Sequence, residues 1–223
     1  MKSTSLLQKY IGISILYLLL IVLGQTVIAW FMKPFLIPFL ILAVWNATYF
    51  KTKKILITAL FFSWIGDSVL LFADRAEIYF IIGLVSFLVS HLVYIMLFTK
   101  QIKRENKKTT AVFWIGVTAI IIYLMMMLFL LIPTLGNLKI PVFVYALVLS
   151  TMLLFAFKGF FLWDKKAAWS ILIGAIVFVA SDSILAFDKF HQKLELSSIL
   201  IMSTYLLAQY LIVKGVLLLN KNA

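Results

Sequence analysis

Two carboxylates lie inside otherwise apolar stretches of the sequence. Asp67 is within residues 63–72, and Asp182 is within the similar residues 179–187. A carboxylate in hydrocarbon-like surroundings is costly, so it usually faces a cavity or a partner and serves a function. If the two approached closely in a dry site, one would hold a proton and the other would be ionised, giving an acid and a base. The pair therefore indicates hydrolase-like acid/base chemistry, and the alternative is two helix-linking or helix-capping aspartates.

A second polar cluster follows each aspartate at a similar distance along the chain. His91 and Tyr94 follow the first, Tyr205 and Gln209 follow the second, and Ser183 adjoins the second aspartate itself. We interpret these side chains as supporting groups that position water or stabilise developing charge. The alternative is that they link helices through hydrogen bonds.

Motifs for metal or serine chemistry are missing from the sequence. The only histidine besides His91 is His191, in a predicted outer loop, so no multi-histidine zinc set can form. The chain has no cysteine, and it carries no nucleophile elbow, no H-E-x-x-H motif and no P-loop. We therefore predict no metal and no cofactor, with a set of two aspartates and His91 as the remaining way to bind a metal.

Four more polar residues are candidates for the site. Lys33 and Arg75 are predicted at the outer membrane interface, where they either snorkel to water or bind a lipid phosphate. Asn46 is predicted near the middle of the second helix and Tyr145 on the sixth. Both are expected either to link helices or to line a cavity.

The amino-acid composition indicates the class of protein in which these residues are found. Of the 223 residues, 65% are hydrophobic, and the mean hydropathy is +1.13. These values indicate an all-α integral membrane protein, formed by residues 1–223 as a single domain. The net charge of +12 comes from lysines in short loops, so it indicates membrane orientation rather than nucleic-acid binding. We predict no obligate protein partner and no cleavable signal peptide.

Eight apolar runs are long enough to cross a membrane as helices. They lie at about 10–31, 34–50, 54–73, 77–98, 110–132, 140–162, 168–187 and 195–219. The proline of Lys33-Pro34 is read as the first turn of the second helix.

The positions of lysine and arginine predict the orientation of these helices. Alternate connections carry 15 of them, and the opposite connections carry 5. Because positive charge concentrates on the cytoplasmic side, both termini are predicted to be cytoplasmic, in the inner or plasma membrane.

Helices three and four resemble helices seven and eight in sequence. The offset of four helices is even, so the copies have one orientation, which predicts a weak parallel repeat. Asp67 lies about 13 residues into its helix and Asp182 about 14, which predicts matching depths in the membrane.

The ordered set of motifs resembles the YhhN family, whose animal members are lysoplasmalogenases. The similar features are Lys33-Pro34, Gly66-Asp67 with Leu70, His91 with Tyr94, Ser181-Asp182-Ser183 with Leu185-Ala186, and Tyr205 with Gln209. The resemblance covers about residues 30 to 215. Each motif is short, and their order and placement on helices make the set specific.

The resemblance implies hydrolysis of the vinyl-ether bond of a lysoplasmalogen, a lysophospholipid of the membrane. The products would be a fatty aldehyde and a glycerophospho-amine. Protonating the terminal alkene carbon gives an oxocarbenium-like ion that water captures, which suits one carboxylic acid and one carboxylate. We predict Asp67 and Asp182 as this pair, with the roles of the two left open.

Other functions fit parts of the same pattern. A parallel repeat with paired intramembrane acids is also typical of a proton-coupled secondary transporter. Gly66-Asp67 is similar to part of the motif of intramembrane aspartyl proteases, although the second aspartate follows Ser181 rather than a tyrosine. A lipid-binding module without enzymatic activity is a further alternative.

Overall fold

The computed structural model describes residues 2–102 and 111–221, and these ranges are helical with no strand. Nine α-helices follow one another along the chain. They are α1 (Lys2–Val22), α2 (Thr26–Met32), α3 (Leu36–Trp45), α4 (Lys53–Leu70), α5 (Glu77–Gln101), α6 (Ala111–Leu131), α7 (Lys139–Phe160), α8 (Lys165–Phe190) and α9 (Ser197–Leu219). A 3₁₀ turn, Lys33–Phe35, joins α2 to α3, and together they form one candidate span, Thr26–Trp45.

Within the described ranges, seven helical segments are long and apolar enough to cross a membrane. The helix α4 is not among them, because its 18 residues carry three charged side chains, Lys53, Lys54 and Asp67. The count of eight spans stays a prediction. Large apolar side chains such as Phe129 and Ile140 are 80% and 76% exposed, which suits a surface that contacts lipid. The prediction of an all-helical membrane protein is confirmed.

The first span ends at Val22, so the predicted end near Phe31 is wrong. Gly24 adopts a left-handed conformation with φ 70°, and the amide of Gln25 donates to the Leu20 carbonyl at 2.8 Å. This glycine-centred arrangement closes the helix, because glycine takes a positive φ without the steric cost of a Cβ atom. The apolar residues after Gly24 belong to the next span.

Lys33 and Pro34 consequently lie inside the second span, and not at its start as predicted. The 3₁₀ turn that contains them follows the seven residues of α2. The proline ring prevents regular α-helical hydrogen bonding, so the span is interrupted there. Asn46 is also misplaced by the prediction, because α3 ends at Trp45 and Asn46 is an exposed residue that caps it.

The other predicted spans agree with the helices to within a few residues. The fifth ends at Leu131 and is followed by a 3₁₀ turn, Ile132–Thr134, at the predicted proline. Most of the basic loop predicted between the fourth and fifth spans, including Lys103, Arg104, Lys107 and Lys108, lies outside the described residues.

The first compact unit contains residues 1–97. In it α1 packs against α3, and α3 packs against α4. Leu36, Ile37 and Leu40 of α3 are fully or almost fully buried, together with Leu56 and Leu60 of α4. Two indole hydrogen bonds cross between the second span and α4: Trp30 Nε1 donates to the Leu71 carbonyl at 3.3 Å, and Trp64 Nε1 donates to the Pro34 carbonyl at 2.8 Å.

The second compact unit contains residues 98–219. Its helices pack in sequence order, α6 on α7, α7 on α8 and α8 on α9. A Cβ atom added at Gly174 would lie 3.0 Å from the Ile212 amide nitrogen, and one added at Gly215 would lie 3.0 Å from the Ala167 carbonyl oxygen. The backbones of α8 and α9 therefore approach closely, as small residues allow between membrane helices.

Candidate active site

Asp67 is buried near the end of α4. Its exposed fraction is 4%, and it lies three residues before Leu70, the last residue of the helix. The neighbouring Gly66 makes room on this side of α4, because a Cβ atom there would lie 2.7 Å from the Phe87 ring of α5. The unit therefore encloses a carboxylate that must be compensated by polar groups.

One group of opposite charge comes from the second span. The Asp67 carboxylate attracts the ammonium group of Lys33, the first residue of the 3₁₀ turn that interrupts this span. Tyr10 and Tyr17 of α1 are buried in the same unit. Lys33 was predicted at the membrane interface. In the structure it lies within the second span, Thr26–Trp45.

The predicted residues on α5 belong to the same unit as Asp67. His91 and Tyr94 are fully buried, and Tyr94 interacts electrostatically with Tyr10. One turn from Asp67, the hydroxyl of Ser63 shares a 2.8 Å hydrogen bond with that of Ser90, which also donates to the Ala59 carbonyl at 2.8 Å. Hydrogen bonds of this kind hold α4 and α5 together along their polar faces.

Asp182 lies on α8 in the second unit and is half-buried. The hydroxyl of Tyr145, on α7, donates to Asp182 Oδ2 at 2.6 Å. Tyr145 was predicted either to link helices or to line a cavity, and its hydrogen bond links α7 to this carboxylate on α8. This short hydrogen bond occupies one lone pair of the Asp182 carboxylate. It thereby fixes the orientation of the carboxylate and of the lone pairs that remain available.

Ser183 and Tyr123 extend the polar surroundings of Asp182. The two hydroxyls share a 2.5 Å hydrogen bond, and Ser183 also donates to the Val179 carbonyl at 2.7 Å. Tyr123, on α6, interacts electrostatically with Asp182. The second carboxylate is thus surrounded by hydroxyls from α6, α7 and α8.

Tyr205 and Gln209 are buried on α9, one turn apart as predicted. Gln209 Nε2 donates to the Tyr205 hydroxyl at 3.3 Å, and the Tyr205 ring packs edge-on against Phe178 of α8, with ring centroids 5.6 Å apart. The pair forms a polar patch in the α8–α9 interface. Its role as a water-positioning pair stays a prediction.

Arg75 and Asn46 lie outside these buried sets. Arg75 is exposed in the turn after α4, with its guanidinium 4.9 Å from the centroid of the Phe72 ring. Its predicted role toward a lipid phosphate stays a prediction. Asn46 donates to the Leu42 carbonyl at 2.8 Å and is exposed, so the predicted buried position in mid-helix is wrong.

Sequence reasoning missed four hydroxyl-bearing residues in the two units. Tyr10, Ser14 and Tyr17 are buried on one face of α1, and Tyr123 lies beside Ser183. The signal on α1 was the spacing of four and three residues between hydroxyl side chains in an apolar run. Tyr123 offered no such signal, because it is an isolated tyrosine in α6.

Two carboxylates with donors around them are suited to moving protons. Within the described ranges, no three histidine, aspartate or glutamate side chains lie close enough together to bind a metal ion. A buried carboxyl group in low-dielectric surroundings can donate a proton, or stabilise a developing cation, more effectively than one in water.

Comparisons with known proteins converge on one group. The model of the YhhN family matches residues 28–216. The chain is 31% identical to Lysoplasmalogenase TMEM86B of Rattus norvegicus over 154 residues, which is 69% of this chain and 58% of the rat protein. It is 32% identical to Lysoplasmalogenase TMEM86A of Bos taurus over 157 residues, or 69% of this chain and 61% of the bovine protein. The chain thus spans about three fifths of the length of these relatives, and no solved structure matches it.

Proposed function

The chain belongs to the YhhN family, and from that premise we propose that it is a membrane hydrolase that cleaves the vinyl-ether bond of a lysoplasmalogen. The observation that carries the proposal is the carboxyl group of Asp67, which is buried on an apolar helix in the same unit as the buried side chains of His91 and Tyr94. The names of the rat and bovine relatives support the same reaction.

The chemistry requires a proton donor and a way to stabilise a cation. A proton added to the outer alkene carbon of R–CH=CH–O–R′ gives the oxocarbenium ion R–CH₂–CH=O⁺–R′. Water adds to the cationic carbon and loses a proton, giving a hemiacetal. The hemiacetal collapses to the aldehyde R–CH₂–CHO and the alcohol HO–R′, so that water is the only reagent consumed.

We assign the two aspartates to the proton transfers of this sequence. One carboxyl group donates the proton to carbon, and the other, as a carboxylate, stabilises the cation or accepts the proton from water. His91, Tyr94, Tyr205, Gln209 and Ser183 would orient the carboxyl groups and the water. Both aspartates must then reach one substrate molecule, which the cross-linking experiment below tests.

The substrate is an amphiphile that the protein would take from the membrane. Its single chain can lie among the apolar helices, and Arg75 or Lys33 would meet its phosphate. For the whole chain we propose a single domain of eight membrane-crossing helices with both termini in the cytoplasm, and a parallel repeat that relates α4–α5 to α8–α9. We also propose that the protein lies in the inner or plasma membrane and functions without an obligate protein partner.

The direct test is the incubation of purified protein with three matched lysophospholipids that carry a vinyl-ether, a saturated alkyl-ether or an ester chain. Mass spectrometry follows the products. We expect a fatty aldehyde from the vinyl ether only, because only its alkene carbon can be protonated. Release of fatty acid from the ester, or no product at all, would contradict the proposal.

The absence of cysteine from the chain permits a test of the shared site. A variant with Asp67→Cys and Asp182→Cys should be cross-linked by a short dithiol-reactive reagent, and one with Tyr49→Cys and Asp182→Cys should not. Tyr49 is a suitable control because it is 78% exposed and lies between α3 and α4. Failure of the first pair to cross-link would separate the aspartates into unrelated sites.

A secondary transporter is the second candidate, and one observation favours it. The second span is interrupted by the 3₁₀ turn Lys33–Phe35, and the Asp67 carboxylate attracts the Lys33 ammonium of this turn. Broken membrane helices next to buried charges are typical of transporter binding sites. Uptake of an unmodified lysolipid into proteoliposomes, with no aldehyde released, would favour this function over hydrolysis.

A further inference from the structure

Four side chains converge at one end of the first unit. The Phe72 ring, in the turn between α4 and α5, lies edge-on to the Trp30 ring of α2, with ring centroids 5.6 Å apart. The centroid of the Tyr79 ring of α5 lies 5.9 Å from that of Phe72, and the guanidinium carbon of Arg75 lies 4.9 Å from it. We call these four residues the Phe72 cluster. The cluster brings a cation and three aromatic rings together from three parts of the chain.

Hydrogen bonds fix the shape of the Phe72 cluster. Trp30 Nε1 donates to the Leu71 carbonyl at 3.3 Å, which places the indole beside the turn. Within the turn, the Arg75 amide donates to the Phe72 carbonyl at 2.9 Å. A bond from a carbonyl to the amide three residues later closes a tight turn, so Arg75 lies close to Phe72. The guanidinium is therefore held in position before any ligand binds.

The Phe72 cluster lies where helices reach the membrane surface. The candidate span of α5 starts just after this turn, and Trp30 is near the start of the span Thr26–Trp45. Tryptophan, tyrosine and arginine are typical of the zone in which lipid headgroups meet water. Arg75 and Tyr79 are exposed, whereas Phe72 and Trp30 are half-buried. Two members of the cluster can therefore be reached by a headgroup.

The Arg75 guanidinium is available to an anion. Among the described residues it contacts the Phe72 ring and forms no hydrogen bond or ion pair, although Asp74 and Glu77 are close in sequence. Its donors can therefore bind a phosphate in the bidentate geometry that guanidinium groups favour. Aromatic rings beside a bound phosphate are suited to the quaternary ammonium group of choline.

The position of the cluster also suits the Asp67 site. Phe72 follows Asp67 by five residues, which corresponds to roughly 7 Å along the helix direction at about 1.5 Å per residue. In a lysoplasmalogen only the glycerol unit separates the phosphate from the vinyl ether. A headgroup bound at the Phe72 cluster would thus leave the vinyl ether at about the depth of the buried carboxyl group.

We infer that the Phe72 cluster binds the phosphocholine headgroup of a single-chain phospholipid. Arg75 binds the phosphate, the Tyr79 ring contacts the trimethylammonium group, and Trp30 holds Phe72 in place beneath them. This assigns the phosphate to Arg75 rather than to Lys33. The role of the cluster in catalysis rests on the function proposed above, whereas its binding of the headgroup does not.

Binding of an uncleavable lipid tests the site without catalysis. The probe is a radiolabelled lysolipid with a saturated alkyl-ether chain and a phosphocholine headgroup, compared with its phosphoglycerol counterpart. Arg75→Gln should weaken the binding of both lipids about tenfold, because both carry the phosphate. Arg75→Lys, which keeps the charge, should restore part of the affinity. Tyr79→Leu should weaken binding of the phosphocholine lipid about three- to fivefold and leave that of the phosphoglycerol lipid unchanged.

Two controls make matched changes elsewhere in the chain. Lys100→Gln removes an exposed cation at the other end of α5, and Tyr49→Leu removes a tyrosine ring that is 78% exposed. Size-exclusion profiles and melting curves establish that the variants are folded. If Arg75→Gln binds both lipids as well as Lys100→Gln does, or if Tyr79→Leu weakens both lipids alike, the inference is overturned.

Activity measurements separate this inference from the proposed function. If the wild-type protein releases no aldehyde from a lysoplasmalogen, the proposed function fails, and the binding measurements still decide the role of the Phe72 cluster. If it is active, Arg75→Gln should raise KM about tenfold with little change in kcat, because the headgroup is bound equally in the ground state and the transition state. An unchanged KM would place the headgroup elsewhere and overturn the inference.

Discussion

The sequence motifs around Asp67 and Asp182 are similar, but the two carboxylates have different surroundings. Asp67 is 4% exposed, and its carboxylate attracts the Lys33 ammonium of the second span. Asp182 is half-buried and accepts a 2.6 Å hydrogen bond from Tyr145 of α7. The similar motifs lie on α4 and α8, whereas the partners come from helices that show no matching sequence pattern.

A repeated sequence motif around a carboxylate therefore does not imply that the two carboxylates have the same role. A carboxylate with a cation in range and one held by a phenol respond differently to a nearby reacting group. Enzymes that use two carboxyl groups obtain an acid and a base by giving them unlike environments. The unlike partners of Asp67 and Asp182 are consistent with such a division.

Replacement of either aspartate by asparagine should have the largest effect. We expect Asp67→Asn and Asp182→Asn each to lower kcat by about 10²–10⁴-fold, because each removes a proton-transfer group. Aldehyde release from a vinyl-ether lysolipid is the measurement, and Asp74→Asn, at an exposed position after α4, is the matched control. Full activity in one of the variants would confine the chemistry to the other unit.

Lys33→Met should mainly affect stability. Removal of the lysine takes away a cation that attracts the buried Asp67 carboxylate. Because Lys33 is half-buried, we expect a loss of about 1 kcal/mol, less than for a fully buried ion pair. Thermal unfolding in detergent should show a lower melting temperature, and the double variant Lys33→Met/Asp67→Asn should recover much of it. Equal destabilisation in the single and double variants would show that Lys33 acts independently of Asp67.

Tyr145→Phe tests the second unit in the same way. Loss of the hydrogen bond to Asp182 should lower kcat about tenfold, the effect of one bond to a carboxyl group. Tyr210→Phe on α9 is the control in the same unit, and steady-state kinetics are the measurement. If the two variants behave alike, the Tyr145 hydroxyl does not support catalysis.

Alanine substitutions at two glycines, Gly215 in the second unit and Gly83 in the first, should have smaller effects than the aspartate replacements, and these effects are on stability. A Cβ atom at Gly215 would meet backbone, with the Ala167 oxygen and the Ile171 nitrogen both at 3.0 Å, whereas at Gly83 it would meet mainly the flexible end of Leu70. Gly215→Ala should therefore lower stability by about 1–3 kcal/mol, and Gly83→Ala by less. Melting temperatures provide the comparison, with Gly12→Ala, which has open space, as the control. A larger loss at Gly83 than at Gly215 would contradict this description of the helix contacts.

The all-helical class and the positions of most helices could be predicted from the sequence, but the end of the first predicted span and the start of the second could not. Long apolar runs are decisive for membrane helices, and most predicted spans agree with α4 to α9. A proline after a lysine resembles a helix start, so Lys33-Pro34 was taken for the beginning of a span. The closing glycine, Gly24, lies within a continuous apolar run, where only its backbone conformation shows that a helix ends.

The partners of the aspartates were harder to predict than the aspartates themselves. Asp67 and Asp182 are conspicuous because a carboxylate is rare within an apolar run. Tyr145 lies 37 positions from its partner Asp182, and Tyr123 lies 60 positions from its partner Ser183. A single tyrosine among apolar residues does not indicate which other helix its side chain will contact. Such contacts depend on how helices pack, which no local pattern specifies.

The paired indole bonds between the second span and α4 have a consequence for biosynthesis. Among the described helices of 18 residues or more, α4 alone does not qualify as an apolar span, so it is the least suited of them to enter the lipid alone. Trp30 and Trp64 tie it to the preceding span at two levels, and Lys33 of that span offsets the charge of Asp67. We therefore expect the translocon to release the second span and α4 into the bilayer together, as one helical hairpin.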